Sequence, residues 1–160
     1  MPCSKAMVTK IISVRADQTI EDVLKVFNKH GIRGVPVMEG ENILGVFHLR
    51  NLLQNLLPVN VNVEHGVNLD MRLDYLVDIE PEVAQRLRKL LKIKVRDVME
   101  PEADLRFVTP ETPLWEGVRL LVKYDTPLAV VEEKHSTKLS GIITSQSMVK
   151  ALLDIAAEKK

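Results

Sequence analysis

The apolar and polar positions of the chain follow one order twice. In the first copy, a short apolar run at 12–14 precedes a stretch with the spacing i, i+3, i+4, i+7 of a one-faced helix. That spacing is held by Ile20, Val23, Leu24 and Phe27. Two β-rich runs at 35–38 and 43–47 flank a polar turn, and a leucine-rich helix follows from residue 49. The pattern predicts the order strand, helix, hairpin, helix.

The same order returns about 94 residues later. A short strand at 107–108 precedes a helix, and apolar runs at 128–131 and 139–143 flank a polar loop. The apolar residues of the last helix are Met148, Val149, Leu152, Leu153 and Ile155. Each unit is too small to bury the face of its own sheet, so we expect the two copies to pack together. The sequence therefore predicts an α+β fold of two βαββα units.

Residues at the predicted helix ends agree with this order. Thr19 and Asp22 have the spacing of a capping box, and Gly31 suits the end of the same helix. In the second copy, we expect Thr112 to cap the helix and Pro113 to be its first residue, where a missing N–H has no cost.

The copies occupy residues 1–57 and 94–160, and a linker of residues 58–93 joins them. A structureless connection of that length is unusual in a compact domain. The pattern predicts an extended loop at 59–66 and then a helix near 81–92, in which acidic residues come first and basic residues last, as the helix dipole favours. Its apolar stripe either packs on the module or contacts a partner, and packing is the usual role of such a stripe.

Composition narrows the classes of function. The 22 basic and 22 acidic residues cancel, whereas duplex-binding domains carry a basic excess, so we expect no nucleic-acid partner. No apolar run approaches the roughly 20 residues of a membrane span, and the first residues lack the apolar core of a signal peptide. We therefore expect a cytoplasmic protein without a membrane partner. The single cysteine, Cys3, is expected to be an ordinary reduced thiol.

Catalytic motifs are missing from the sequence. It contains no glycine-rich phosphate loop of the Walker type and no HExxH. His30, His65 and His135 lack the spacing of a metal site, and we interpret them as surface or loop residues. We expect no metal and no enzymatic activity.

Several segments resemble the motifs of one known family. Residues 94–99 read KVRDVM, similar to the segment V-x-D-V-M that leads into a cystathionine-β-synthase (CBS) domain. Residues 6–7 resemble the same segment more weakly. Residues 34–37 read GVPV, while 45–52 and 141–148 resemble the element G-h-h-S/T-x-x-D-h, where h is apolar. The resemblance implies a pseudo-two-fold CBS pair, or Bateman module, which usually forms a homodimer through its helices.

The resemblance also implies a ligand. In the family, clefts between the copies bind AMP, ADP, ATP or an adenosyl relative as a regulatory ligand, not as an obligatory cofactor, and a partner protein responds. The sequence does not identify that partner. The apolar positions implied for the base are Ile12, Val14, Val35, Pro36, Ala129, Val130 and Ile142. The implied polar positions are His48, Arg50, Asn51, Thr109, Thr144, Ser145 and Ser147.

The sequence departs from the family at these ligand positions. Asn51 in the first copy and Ser147 in the second replace the carboxylate that holds the ribose. The phosphate-side Ser/Thr is His48 in the first copy and remains as Thr144 in the second. The implied site therefore centres on the cleft that keeps Thr144. The alternative function is a degenerate CBS pair that serves as a ligand-free dimerisation or docking module.

Individual residues leave two interpretations open. His48 either pairs with a phosphate when protonated or is a polar residue tolerated in a half-open cleft. Arg50 is either a phosphate ligand or a solvated helix residue. Asn51 and Thr144 suit helix starts as well as they suit ligand contacts. Trp115 is interpreted as a dimer contact in preference to a group that stacks on a base.

Overall fold

The predicted order of elements is present in a computed structural model that describes residues 1–56, 80–102 and 105–158. The first unit comprises β1 (Val14–Arg15), α1 (Ile20–His30), β2 (Gly34–Glu39), β3 (Asn42–His48) and α2 (Leu49–Leu56). Helix α3 (Glu80–Leu90) and the short strand β4 (Glu100–Pro101) follow. The second unit comprises β5 (Phe107–Val108), α4 (Leu114–Tyr124), β6 (Leu128–Val131), β7 (Leu139–Ile143) and α5 (Ser145–Ala157). The predicted α+β fold is confirmed.

Each unit builds one small sheet of the same design. Strand β1 is parallel to β2, and β2 is antiparallel to β3; β5, β6 and β7 repeat this arrangement. The register of both hairpins shifts at similar places, between Val37 and Met38 and between Val130 and Val131. Strand β4 adds a fourth strand to the first sheet, which has the order β1-β2-β3-β4.

Helix α1 begins and ends as the sequence predicts. The Thr19 hydroxyl accepts the N–H of Asp22 at 3.3 Å, and the Asp22 carboxylate accepts the N–H of Thr19 at 3.2 Å. The capping box is therefore confirmed. Gly31 follows the helix with a φ of 62°, a left-handed conformation that glycine adopts without strain. On the buried face, the ring of Phe27 stacks on that of Phe47 with 5.9 Å between centroids.

The start of helix α4 differs from the prediction. Thr112 does not cap the helix, because its hydroxyl accepts the N–H of Thr109 at 2.9 Å, and Pro113 occupies the N-cap position. The N–H of Leu114 donates instead to the carbonyl of Met1 at 2.8 Å. The predicted cap is wrong because a segment from the start of the chain supplies the acceptor.

Two further predicted bounds shift by a few residues. Strand β1 begins at Val14, so only the last residue of the apolar run at 12–14 belongs to it. The linker helix predicted near 81–92 is α3, and Leu90 and Leu91 at its end pack against the core of the first unit. This contact supports the interpretation that the helix packs on the module. The loop predicted at 59–66 lies outside the described residues, and the boundaries 1–57, 58–93 and 94–160 stay a prediction.

The segments that lead into the two units, residues 1–8 and 93–100, are exchanged between them. We call them the lead-in segments. The first core contains Val95 of the second lead-in segment together with Val14, Ile20, Val23, Phe27, Val35, Val37, Phe47 and Leu52. The second core contains Cys3 and Ala6 of the first lead-in segment together with Val108, Leu114, Leu120, Leu128, Val130, Ile143, Met148 and Ala151. Each core is therefore completed by the segment that precedes the other unit.

Matching backbone hydrogen bonds hold the two exchanged segments. The N–H of Cys3 donates to the carbonyl of Thr112 at 2.7 Å, and the N–H of Val95 donates to the carbonyl of Gln18 at 2.9 Å. Each donor begins a 3₁₀ turn, Cys3–Lys5 or Val95–Asp97, and each acceptor lies just before a helix of the other unit. The bonds correspond one to one, which indicates a pseudo-two-fold axis.

The tips of the two hairpins meet at this axis. The N–H of Ile43 donates to the carbonyl of Thr137 at 2.9 Å, and the N–H of Leu139 donates to the carbonyl of Glu41 at 3.0 Å. The two units are thus joined by reciprocal backbone bonds at their hairpins as well as by the exchanged segments.

Within the described ranges, no helix has both the length and the apolar character that crossing a membrane requires.

Two glycines allow the lead-in segments to cross the strands. A Cβ at Gly45 would meet the carbonyl oxygen of Glu100 and would lie 2.8 Å from Sδ of Met99. A Cβ at Gly141 would lie 2.7 Å from the carbonyl oxygen of Val8. These distances are too short for a real Cβ, and the obstacle is backbone that cannot rotate away. Glycine at these two positions is therefore required by the close approach of the exchanged segments.

We expect Gly45→Ala and Gly141→Ala each to lower the free energy of unfolding by about 1–3 kcal/mol, the usual cost of overpacking a close contact. Urea denaturation followed by circular dichroism measures this change. Ser140→Ala, next to Gly141 on β7, is the matched control, and its unfolding midpoint should stay near that of the wild type. A midpoint unchanged in either glycine variant would contradict the close crossing at that strand.

Candidate functional site

A cleft of about 220 Å³ lies between the two units. Strand β3 and the start of α2 form its first side, and strand β4 lies next to them. The second side comes from the residues before β5, the end of α4 and the start of β6. The apolar part of the wall consists of Val46, Leu105, Pro127 and Ala129. The polar part consists of Arg50, Glu100, Arg106, Tyr124 and Thr126.

Cationic groups from both units reach this cleft. Arg50, in the first turn of α2, lies 3.7 Å from the Asp125 carboxylate, and both side chains are largely exposed. Arg106 stacks over the ring of Tyr124, with Cζ 4.6 Å from the ring centroid, and Nζ of Lys123 lies 5.2 Å from the same centroid. Hydrogen bonding to Arg106, and then to Lys123, lowers the pKa of the Tyr124 hydroxyl. The cleft therefore combines two guanidinium groups with an apolar wall.

Of the residues that the sequence implies for a ligand, Arg50 and Ala129 line this cleft. Val14 and Val35 are buried in the first core, and Val130 is buried in the second. Pro36 is also buried, whereas Ile12 and Ile142 are half-buried. Thr109 shares a hydrogen bond with the hydroxyl of Thr112 in the turn after β5, 3.1 Å between the oxygens. Of the residues named in this paragraph, only Ala129 lines the cleft with Arg50.

The start of α5 holds the predicted residues Thr144, Ser145 and Ser147. The Thr144 hydroxyl accepts the N–H of Ser147 at 3.1 Å, and the Ser147 hydroxyl accepts the N–H of Thr144 at 2.9 Å. The two side chains form a capping box, while Ser145 is exposed. Helix capping thus accounts for Thr144 and Ser147, and their role as ligand residues stays a prediction.

The start of α2 uses different residues for the same purpose. The N–H of His48 donates to Oδ1 of Asn51 at 2.8 Å, and the N–H of Arg50 donates to Nδ1 of His48 at 3.1 Å. Asn51 and His48 therefore satisfy backbone groups that the first turn of a helix leaves without partners. The amide oxygen of Asn51 is already engaged in this way.

The His48 ring is held in its neutral form. Burial lowers its pKa below the ordinary value of 6.5, and the charges of Arg50 and Arg33 add to this effect, whereas Asp125 opposes it. Nδ1 must also be unprotonated to accept the N–H of Arg50. Without a bound anion the arrangement favours the neutral ring, and the pairing of a protonated His48 with a phosphate stays a prediction.

Seven residues of the cleft were not among the ligand positions implied by the sequence, and three of them, Glu100, Arg106 and Tyr124, carry charged or titratable groups; the others are Val46, Leu105, Thr126 and Pro127. Glu100 directly follows the KVRDVM segment, and Arg106 precedes the short strand of the second copy. Their shared cleft depends on the exchange of the lead-in segments, which no local pattern reports. Among the residues that the structure describes, no group of three His, Cys, Asp or Glu side chains could hold a metal ion.

The neutral His48 ring predicts a dependence of stability on pH. Because the folded-state pKa is lowered, the unfolded chain binds the proton more tightly, so this stabilisation is complete above about pH 6.5 and is lost as the pH falls below it. His48→Asn should lose less stability than the wild type between about pH 7.5 and 5.5, since Asn also caps helices. Urea titrations at each pH measure this. His135→Asn, in an exposed loop, is the control, and an acid-side loss unchanged by His48→Asn would contradict the assignment.

Comparison with known proteins agrees with this architecture. The sequence profile of the CBS domain matches residues 3–58 and 95–154. An uncharacterized protein of Methanocaldococcus jannaschii, MJ1426, is 27% identical over 156 residues, which are 93% of this chain and 90% of that protein. The crystal structure of CBSX2, a CBS-pair protein from Arabidopsis thaliana, has a TM-score of 0.73 and 22% identity and covers 99% of this chain and 98% of its own.

A structure of CBSX2 in complex with AMP has a TM-score of 0.67 at 22% identity, covering 97% of this chain and 98% of its own. At this identity, the solved structures support the fold alone. The profile, by contrast, matches two separate segments that together make up well over half of the chain. Each segment covers one βαββα unit almost completely. The chain belongs to the CBS domain family, as a tandem pair.

Proposed function

We propose that the chain is a non-catalytic regulatory module that binds an adenosine nucleotide, AMP, ADP or ATP, in the cleft between its two units. The observation that carries the proposal is the pair of guanidinium groups, Arg50 from the first unit and Arg106 from the second, beside an apolar wall. Guanidinium groups donate paired hydrogen bonds to phosphate oxygens. A planar base fits the apolar part of the same cleft.

The contact between Arg50 and Asp125 supports a role for Arg50 in binding. Their charged atoms are 3.7 Å apart and both side chains are exposed, so this pair contributes little to stability. A phosphate group can therefore replace Asp125 as the partner of Arg50 at small cost. CBSX2, a CBS pair of similar fold, is bound to AMP in one of its solved structures.

A nucleotide in this cleft would contact both units at once. Arg50 and Val46 belong to the first unit, and Arg106, Tyr124 and Ala129 lie at the second. A ligand that binds one relative position of the units more tightly shifts the population towards it. This provides a route by which a partner protein senses the nucleotide. No step of this route requires catalysis.

We expect Arg50→Gln to weaken adenosine nucleotide binding by about tenfold or more, because a charge-assisted hydrogen bond to phosphate is lost. Isothermal titration calorimetry with AMP, ADP and ATP measures the affinity. For the wild type, ligand at a hundred times Kd should raise stability by about 2.7 kcal/mol in a thermal-shift assay. Arg15→Gln, which removes an exposed arginine far from the cleft, is the matched control.

Thr144→Val tests whether the nucleotide binds in this cleft or in the cleft near Thr144 that the sequence implies. If Arg50→Gln weakens binding and Thr144→Val does not, the nucleotide binds in the cleft with Arg50. The reverse pattern moves the site to the cleft with Thr144. No binding of any of these nucleotides at millimolar concentration would overturn the sensor function and favour the ligand-free docking module.

We also propose that the chain forms a homodimer through α4 and α5. These helices expose large apolar side chains, among them Val122 at 80% and Leu153 at 66% of the maximal area, together with Trp115 and Val149. At the positions of Trp115 and Val122, the first unit has Glu21 and Asn28, 94 residues earlier. Moreover, α3 contacts α2 on the first unit. The exposed apolar residues Trp115 and Val122 of α4 therefore have polar counterparts on α1, and an identical face on a second copy would cover the apolar face of α4 and α5.

Val149→Glu should convert the dimer to a monomer, because a buried charge without a partner is costly in an apolar interface. Analytical ultracentrifugation at micromolar concentration measures the mass. Lys150→Glu, also exposed on α5, is the control for added negative charge. A wild-type chain that sediments as a monomer would overturn the homodimer, and a dimer retained by Val149→Glu would move the interface away from α5.

A further inference from the structure

Glu100 has an unusual position in the cleft. Glu100 is half-buried and lines the same space as Arg50 and Arg106. Yet among the described residues, no hydrogen bond or ion pair engages its carboxylate, although Arg50 pairs with Asp125 at 3.7 Å. A carboxylate beside two cations with which it forms no ion pair is available to a ligand.

The backbone holds Glu100 firmly at this place. Glu100 pairs with Val46 on β3, and Pro101 pairs with Gly45 in the same antiparallel ladder. Residues directly opposite each other in such a ladder project from the same face of the sheet. Val46 and Glu100 accordingly line the same cleft, and the absence of a Cβ at Gly45 lets the Glu100 carbonyl approach closely. The carboxylate is thus carried by a strand and not by a mobile loop.

The side-chain amide of Asn51, the residue after Arg50, is engaged at the start of helix α2. Oδ1 of Asn51 accepts the N–H of His48 at 2.8 Å, so Asn51 keeps only its weaker donor groups for a ligand. Glu100 is different, because its two oxygens can accept hydrogen bonds from two neighbouring hydroxyls at once. A ligand complementary to the whole cleft carries an anionic group for the arginines and a pair of adjacent hydroxyls for Glu100.

We propose that the Glu100 carboxylate accepts hydrogen bonds from the 2′- and 3′-hydroxyls of the nucleotide ribose. This inference rests on the proposed nucleotide site and assigns to Glu100 the selection of ribose over deoxyribose. The competing role is simple neutralisation of Arg50 and Arg106. The two roles predict opposite effects, since removing a neutralising charge strengthens phosphate binding whatever the sugar.

Calorimetry with AMP and with 2′-deoxyadenosine monophosphate tests the assignment on the wild type and on Glu100→Gln. The wild type should bind AMP about tenfold more tightly than the deoxy compound, because the half-buried carboxylate loses the hydrogen bond from the 2′-hydroxyl. Glu100→Gln should weaken the binding of AMP about tenfold and leave the binding of the deoxy compound unchanged or tighter. The preference for AMP then disappears. Glu102→Gln, two residues along the chain, is the matched control.

Three outcomes overturn the assignment in different ways. If Glu100→Gln keeps the wild-type preference for AMP, or binds both compounds more tightly, Glu100 does not hold the ribose and the nucleotide site itself stands. If the wild type binds the two compounds equally, no group in the cleft selects the 2′-hydroxyl. If the wild type binds neither compound, the proposed nucleotide site fails and the assignment fails with it. Unfolding midpoints of both variants show that the fold is intact.

Discussion

The exchange of the lead-in segments is the constraint on which the rest of the molecule depends. Val95 completes the first core and Cys3 completes the second, so neither βαββα unit closes its own hydrophobic interior. The exchange requires two segments to cross two strands at van der Waals distance, and Gly45 and Gly141 make that possible. Because the same arrangement occurs at both crossings, the pseudo-two-fold symmetry follows from the exchange and not only from the repeated sequence.

The exchange of the lead-in segments also determines which charged residues line the cleft. Strand β4 begins at the last residue of the second lead-in segment, yet it extends the sheet of the first unit and brings Glu100 beside Val46. Arg106 lies a few residues further along, where the chain enters β5. One continuous stretch of chain therefore supplies an anion and a cation to opposite sides of the same space. The backbone hydrogen bond from Ile43 to Thr137 joins the hairpins of the two units.

Local physics made most of the fold predictable from the sequence. The capping box of Thr19, the left-handed Gly31 and the apolar spacing of α1 depend only on neighbours along the chain. Thr112 was misassigned because the acceptor for the helix start is the carbonyl of Met1, more than a hundred residues away. The cleft was harder still. Of its polar residues, sequence reasoning identified Arg50, whereas Glu100 and Arg106 are brought there by long-range pairing that leaves no periodic signal.

The burial of Cys3 has a consequence for the order of events during synthesis. Its thiol is completely enclosed by the second core, and this burial raises its pKa. The residues that enclose it, from Val108 to Ala151, leave the ribosome long after Cys3 does. The thiol therefore stays open to oxidants and to alkylating reagents until those residues have been synthesised and have packed around it. The reactivity of this single thiol reports when a nascent chain has closed its second half.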